Sequence, residues 1–394
     1  MKGEELKKFI AEHIIKGDLA ALLLGASRYP DIDVPFAVEQ IAARRQIREK
    51  LPLWYENEDL IFPSRIAAEQ CSSEQTATYK QQLIGETNHL CDLTGGLGID
   101  SYFFSLKAKK VTYIERFALY CERARHNFSA LNVENIDVLE GDGTELFDSV
   151  QDVDVFYLDP ARRGEGNKRV FALSDCEPDL TVMLPLLLEK APKVIAKISP
   201  MADIQMTLEL LSNVTSVHIV SVRNECKELL FVMERGTEMA EPDIVCVNYT
   251  SDLREERYVF RLSEERSISL NTAKQLGNYL YEPNASILKA GAFKSLTTSF
   301  AIEKFHVSSH LYTSEELCKD FPGRTFVIDE IILFSSKTYK QIAKTIPQAN
   351  ITTRNFPLQA DALRKKVGMK DGGDIFIFAT TMSDEKRVLI KTHK

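Results

Sequence analysis

A strand, a glycine-bearing turn and a helix follow one another in Asp92-Leu-Thr-Gly-Gly-Leu-Gly-Ile-Asp100, and this stretch constrains the fold more than any other of the 394 residues. An apolar run ending at Leu90 leads into it, and an amphipathic segment from Ile99 to Ala108 leaves it. Glycine has no Cβ, so the backbone at Gly95, Gly96 and Gly98 can turn sharply and pass close to a ligand. Such a turn also aims backbone N–H groups at whatever sits at the helix start. The sequence predicts three further strands, each ending in polar groups. Val111-Thr-Tyr-Ile114 ends in Glu115, Ile136-Asp-Val-Leu-Glu140 in Gly141-Asp142-Gly143, and Val153–Leu158 in Asp159-Pro-Ala-Arg-Arg163. The carboxyl ends of successive strands are the edge on which open α/β sheets bind ligands. An acidic residue at the tip of the second strand can accept from both hydroxyls of a ribose.

These four stretches, in this order and at these spacings, resemble the class I S-adenosylmethionine-dependent methyltransferases over roughly residues 70 to 235. The first motif of that family reads acidic-x-Gly-x-Gly-x-Gly. Asp92, Gly96 and Gly98 match it, and Thr94 stands where the first glycine usually is. The resemblance implies S-adenosyl-L-methionine as cofactor, held by Asp92, Thr94, Gly95, Gly96, Gly98 and Asp100. It implies Glu115 as the ribose ligand, with Asp142 and Gly143 near the adenine. Asp159-Pro160 looks like the start of the family's fourth motif, so Asp159, Pro160 and Arg162 are the expected catalytic residues. A nicotinamide dehydrogenase would need G-x-G-x-x-G; Gly95, Gly96 and Gly98 have the wrong spacing, and such an enzyme gives no reason for Asp-Pro-Ala-Arg-Arg.

Methyl transfer from a sulfonium is an in-line displacement, in which aligning donor and acceptor contributes most. A base is needed only if the acceptor must lose a proton, and Asp159 is the candidate either to position or to deprotonate it. Enzymes that methylate exocyclic base amines often carry Asp-Pro-Pro-Tyr here, the aromatic stacking on a flipped base. Asp159-Pro160-Ala161-Arg162 lacks that aromatic and is more similar to the Asp-Pro-Pro-Arg of some RNA methyltransferases. The following strand runs into Lys197-Ile-Ser-Pro200 without a cysteine, which argues against a covalent pyrimidine C5 mechanism. Arg162 and Arg163 could grip a phosphate through paired hydrogen bonds.

Bulk properties leave this reading intact. Hydrophobic content of 44% and charged content of 27% describe a globular protein with room for two or three domains. No run approaches the ~18 apolar residues of a membrane span, so no membrane partner is expected. The opening Met-Lys-Gly-Glu-Glu-Leu-Lys-Lys does not read as a signal peptide. Seven cysteines occur without a C-x-x-C pair and seven histidines without ligand spacing, pointing to a cytoplasmic protein with no metal. The net charge is −8, but unevenly spread: residues 1–236 hold 27 basic and 37 acidic groups, residues 286–394 hold 17 and 11. A basic end on an acidic chain hints at a polyanionic partner.

The expected fold class is α/β: a doubly wound, seven-stranded class I methyltransferase sheet with an N-terminal helical segment and a C-terminal α+β domain. The expected divisions are 1–70, helical; 71–236, catalytic; 237–320, a small α+β, ferredoxin-like linker region; and 321–394. In the first, Leu6, Phe9, Ile10, Ile14 and Ile15 recur at helical spacing. A second helix, Pro35 to Leu51, is expected to turn Val38, Ile41 and Ala42 inward and Arg44, Arg45, Arg48 and Lys50 outward. Ser72 or Ser73 could cap the helix that follows, and Ser72–Ala77 resembles the family element that folds over the methionine end of the cofactor. Gly164–Arg169 reads as a loop over the pocket, Arg223–Glu228 as a polar connection, and Ala273–Tyr281 and Gly291–Phe300 as helices. From Phe321 a β-α-β-α-β-β alternation resembles the THUMP-like domains joined to some bacterial methyltransferases, best in Asn350–Pro357 and Lys370–Asp374. That resemblance implies an RNA partner, tRNA or rRNA, with Arg354, Arg364, Lys365 and Lys366 as candidate contacts.

Overall fold

The computed structural model describes residues 2–162, 173–237, 241–270, 272–339 and 341–394. The chain folds as two compact units, Met1–Ser216 with Glu228–Glu241, and Val217–Lys227 with Pro242–Lys394.

The first unit opens with helices Lys2–His13, Leu19–Leu24, Val34–Ile47, Pro52–Glu56, Arg65–Gln70 and Glu74–Leu83. Phe9, Leu22, Val38 and Ile41 are buried together, with Leu6, Ile10 and Ile14 packed against them. Ile15 falls beyond the end of the first helix and is 71% exposed. The arginines of the third helix correct the outward-facing expectation. Arg44 is buried and donates to the carbonyls of Tyr55, Asn57, Glu58 and Leu60. Arg45 donates to those of His13, Ile14 and Gly17, and Lys50 to those of Ala68 and Glu69. The last turns of short helices leave carbonyls without partners, and a guanidinium brings five donors to them. Arg48 alone of the four stays exposed.

Nine strands follow, most of them separated by helices: β1 (His89–Asp92), β2 (Lys110–Glu115), β3 (Ile136–Glu140), β4 (Val155–Leu158), β5 (Ala161–Arg162), β6 (Cys176–Glu177), β7 (Lys193–Ile198), β8 (Val214–Val222) and β9 (Glu225–Glu234). In the first unit the order is β3-β2-β1-β4-β7-β9, parallel except for β9. Helices Ile99–Ser105, Ala118–Ala130 and Leu180–Lys190 make the crossovers that parallel neighbours require. The order reverses between β1 and β4, a topological switch point. All seven expected strands form. The last begins earlier than expected, so the supposed polar connection shrinks to a two-residue turn, Arg223-Asn224, with φ of 52° and 62°. Glu228 thereby lies on a strand and is buried. The Gly164–Arg169 loop lies outside the described residues.

The second unit contains the antiparallel pair β10 (Asp243–Tyr249) and β11 (Glu255–Phe260). Seven strands follow: β12 (Tyr279–Pro283), β13 (Glu303–His306), β14 (Ser309–Ser314), β15 (Gly323–Leu333), β16 (Asn350–Arg354), β17 (Phe376–Thr381) and β18 (Arg387–His393). They form one sheet in the order β13-β14-β12-β15-β18-β17-β16. The helix expected over Ala273–Tyr281 is not formed. Tyr279–Pro283 is a central strand instead, and a Cβ at Gly277 would come 2.3 Å from the Ser314 carbonyl oxygen, so close strand approach overrides local helical pattern. Of Gly291–Phe300 only Ser295–Ser299 is helical, preceded by Ala285–Ala290. Because β15 pairs with both β12 and β18, the boundary drawn at 320/321 runs through a continuous sheet. Among the described residues no helix is long and apolar enough to cross a membrane.

Candidate active site

The residues expected to hold the cofactor, Asp92 through Gly143, line one cavity of about 300 Å³ together with Asp159. It lies in the first unit at the carboxyl ends of β1, β2 and β4, and its size falls at the lower end of small-molecule sites. Ala67 and Gln70 of the N-terminal segment, with Cys71 and Ser72 just after it, form part of its wall.

Each carboxylate is fixed by its own chain neighbours. Asp92 accepts from the Thr94 N–H at 3.0 Å and the Ser101 hydroxyl at 2.6 Å, and burial pushes its pKa up to about 7. Glu115 accepts from the N–H of Gly96 and of Phe117, both at 2.9 Å. Those bonds aim it at the turn and leave lone pairs for further donors. Asp142 caps the short helix Gly143–Leu146, accepting from the Thr144 hydroxyl and N–H, which hold its pKa below the usual carboxylate range.

The glycines have packing reasons beside the functional one. A Cβ at Gly95 would lie 2.2 Å from the Tyr113 ring, and one at Gly143 2.3 Å from the Leu93 carbonyl oxygen. Gly96 and Gly98 have φ of 55° and 85°, which side chains disfavour. The Tyr113 hydroxyl donates to the Gly96 carbonyl at 2.6 Å and pins the turn. Thr94, the departure from the glycine pattern, accepts the Asp159 N–H on its Oγ1 at 2.7 Å. It thereby ties the turn after β1 to the end of β4.

Residues that sequence reasoning passed over complete the site. Lys197 Nζ lies 2.6 Å from Asp159 Oδ2. Lys80, 0% exposed, contacts Glu228 at 2.9 Å and Asp100 at 3.2 Å and donates to the Ser72 hydroxyl. Asp100 also accepts from Ser72 and from the Tyr157 hydroxyl. Burial opposes ionisation of Asp100, but Lys80, Lys197 and these hydrogen bonds outweigh it and its pKa is lowered. Burial raises the pKa of Glu228. The available signal was a lysine inside the apolar strand Val194-Ile-Ala-Lys-Ile198, since lysine is almost never buried unpaired.

The remaining expected residues are placed differently. Pro160 joins Asp159 to β5, whose backbone includes Arg162; Arg163 lies outside the described residues. Arg354, Arg364, Lys365 and Lys366 belong to the second unit. Arg354 pairs with buried Glu282 at 2.7 Å, which Arg324 also contacts, and Arg364 pairs with Asp361 and Asp371. Lys365 and Lys366 are exposed, with the Lys366 ammonium over the rings of Phe334 and Tyr339.

No curated protein matches the chain significantly. Residues 279–322 match a ferredoxin-like domain family and residues 323–394 a THUMP domain-like family. A crystal structure named "putative methyltransferase from Porphyromonas gingivalis W83" superposes with a TM-score of 0.90 at 38% identity, covering 99% of this chain and 97% of that one. A Streptococcus mutans protein with the same description, in complex with SAH, reaches a TM-score of 0.31 at 18% identity over 41% of this chain and 96% of its own. By its full-length similarity to the first of these, the chain belongs to the same methyltransferase family, with a THUMP domain-like region at residues 323–394.

Proposed function

We propose that this enzyme methylates structured RNA, tRNA or rRNA, with Asp159 positioning the acceptor. The observation that carries the catalytic part is the convergence of the Gly96 turn, Glu115 and Asp159 on one cavity. The cofactor would be S-adenosylmethionine, held along the glycine turn, and it would supply a methyl group made electrophilic by positively charged sulfur. Glu115 holds the ribose hydroxyls, its orientation set by the N–H groups of Gly96 and Phe117. Asp142 and Gly143 border the adenine. Asp159, at the end of β4 and 39% exposed, faces the acceptor side and aligns the incoming nucleophile. Arg162 and Arg163, three and four positions further on in the sequence, supply charge for a substrate phosphate.

The RNA reading is supported by the THUMP domain-like match of residues 323–394 and by the basic balance of that end of the chain. A protein or small-molecule acceptor is the second reading. Neutralisation of Arg354 and Arg364 by neighbouring carboxylates favours it, because it weakens the attraction for a polyanion. The deciding experiment incubates the enzyme with methyl-labelled cofactor and total RNA, then analyses nucleosides by mass spectrometry. A single labelled nucleoside is the expected result; label in protein or small molecules but not RNA would favour the second reading. By calorimetry, Glu115→Ala should weaken cofactor binding by about tenfold or more, since two hydroxyls lose their acceptor. Asp159→Ala should abolish most turnover with that affinity nearly intact.

A further inference from the structure

Lys197 has no part in the reading above, yet its placement is specific. It lies one residue past Ala196, which is in register with Leu158 of the parallel neighbour β4, so Lys197 and Asp159 stand side by side at adjacent strand ends. The Lys197 side chain is only 15% exposed. Burying an ammonium is expensive unless a partner compensates. Three carboxylates, Asp100, Glu228 and Asp159, act on it electrostatically. Lys80 takes the first two in direct contacts, and Lys197 makes its 2.6 Å contact with the third. The pairing is thus divided: one ammonium serves the buried wall, the other the residue at the cavity.

We propose that Lys197 is a positioning residue for methyl transfer, holding the Asp159 carboxylate fixed in direction so that its free oxygen accepts a hydrogen bond from the acceptor. The inference rests on the proposed role of Asp159. The 2.6 Å contact occupies one Asp159 oxygen and leaves the other to accept that hydrogen bond. The site therefore suits an acceptor that is nucleophilic with its hydrogen still attached, a nitrogen, over a hydroxyl that must first be deprotonated. The nitrogen lone pair forms the new N–C bond while the C–S bond breaks and its electron pair stays on sulfur. The sulfonium becomes a neutral thioether, and the positively charged nitrogen then releases its proton to water.

The test uses the full chain and two ligands that need no acceptor: S-adenosylhomocysteine, and sinefungin, which carries a charged amine where the sulfonium methyl stands. Calorimetry gives the ratio of sinefungin to S-adenosylhomocysteine affinity for the wild type, Lys197→Met, Lys197→Arg and Asp159→Asn. Lys197→Met leaves the Asp159 charge uncompensated and should raise that ratio about fivefold or more. Lys197→Arg should restore it, Asp159→Asn should lower it by a similar factor, and S-adenosylhomocysteine affinity should stay within about twofold throughout. Should Lys197→Met fail to fold by circular dichroism, Lys197→Met/Asp159→Asn, which removes both charges, takes its place and should match Asp159→Asn alone. Normal S-adenosylhomocysteine binding with an unchanged ratio in Lys197→Met would overturn the role of Lys197 and leave the cofactor site standing. Failure of the wild type to bind either ligand would overturn both.

Discussion

Asp92 and Asp100 sit eight positions apart, both in the wall of one cavity, and burial treats them differently because of their neighbours. Asp100 has Lys80 and Lys197 beside it and its pKa falls. Asp92 is 1% exposed, and burial raises its pKa to about 7 against hydrogen bonds from Ser101 and Thr94. A carboxyl whose folded pKa exceeds its unfolded value of about 3.9 binds its proton more tightly when folded. Its contribution to stability is complete below about pH 4 and is lost as pH rises toward about 7. Asp92→Asn cannot ionise, yet it keeps an acceptor for Thr94 and gains a donor for Ser101. The cofactor-free variant should therefore melt a few degrees above the wild type at about pH 8, with the advantage gone at about pH 4. Melting curves across that range check it, and an unchanged difference at both ends would show that Asp92 does not titrate there.

At the scale of elements, one ammonium joins three of them. The helix Glu74–Leu83 carries Lys80, the helix Ile99–Ser105 carries Asp100, and β9 carries Glu228. Ser73 starts the first of these helices with a capping box shared with Thr76, and Ser72 just before it bonds both Asp100 and Lys80. The segment that contributes Ser72 to the cavity wall is thus held by buried charge as well as by apolar contact. Lys80→Met should destabilise the protein by about 3–5 kcal/mol, because two buried carboxylates lose their partner. Denaturant titration measures this, and adding Glu228→Gln should recover part of the loss. A double variant no more stable than the single one would mean that packing, not charge, is what Lys80 supplies.

For the whole molecule, local pairing decides which basic residues keep charge for the proposed RNA partner. Arg354 and Arg364 spend their charge on Glu282, Asp361 and Asp371, which leaves the exposed Lys365 and Lys366 as the better candidates. Binding of total tRNA, followed by fluorescence anisotropy across a salt series, should show a log–log slope that Lys365→Ala/Lys366→Ala flattens by about 1.4–1.8 units. An unaltered slope would remove these lysines from the interface. The full chain is the right reagent, because a cut near Thr237 would leave residues 217–227 without the rest of the unit they belong to.

The local grammar of the chain is enough to determine the seven main strands and the crossover helices between His89 and Glu234, though not the short pair β5–β6, and the strand-tip positions of Glu115, Asp142 and Asp159. Glycines, caps and apolar runs act over a few residues, so their consequences can be read in order. Long-range pairing is a different matter. Lys80 and Glu228 are 148 positions apart, and Lys197 and Asp159 are 38 apart. Seen along the chain, each is an ordinary charged residue, as Arg44 is before its carbonyl partners are known. The segment Ala273–Tyr281 has a helical pattern, but two flanking strands at hydrogen-bonding distance make its end a strand. Tertiary structure alone decides which charges are buried and with whom they pair, because the cost of burying a charge exists only once other elements have closed over it.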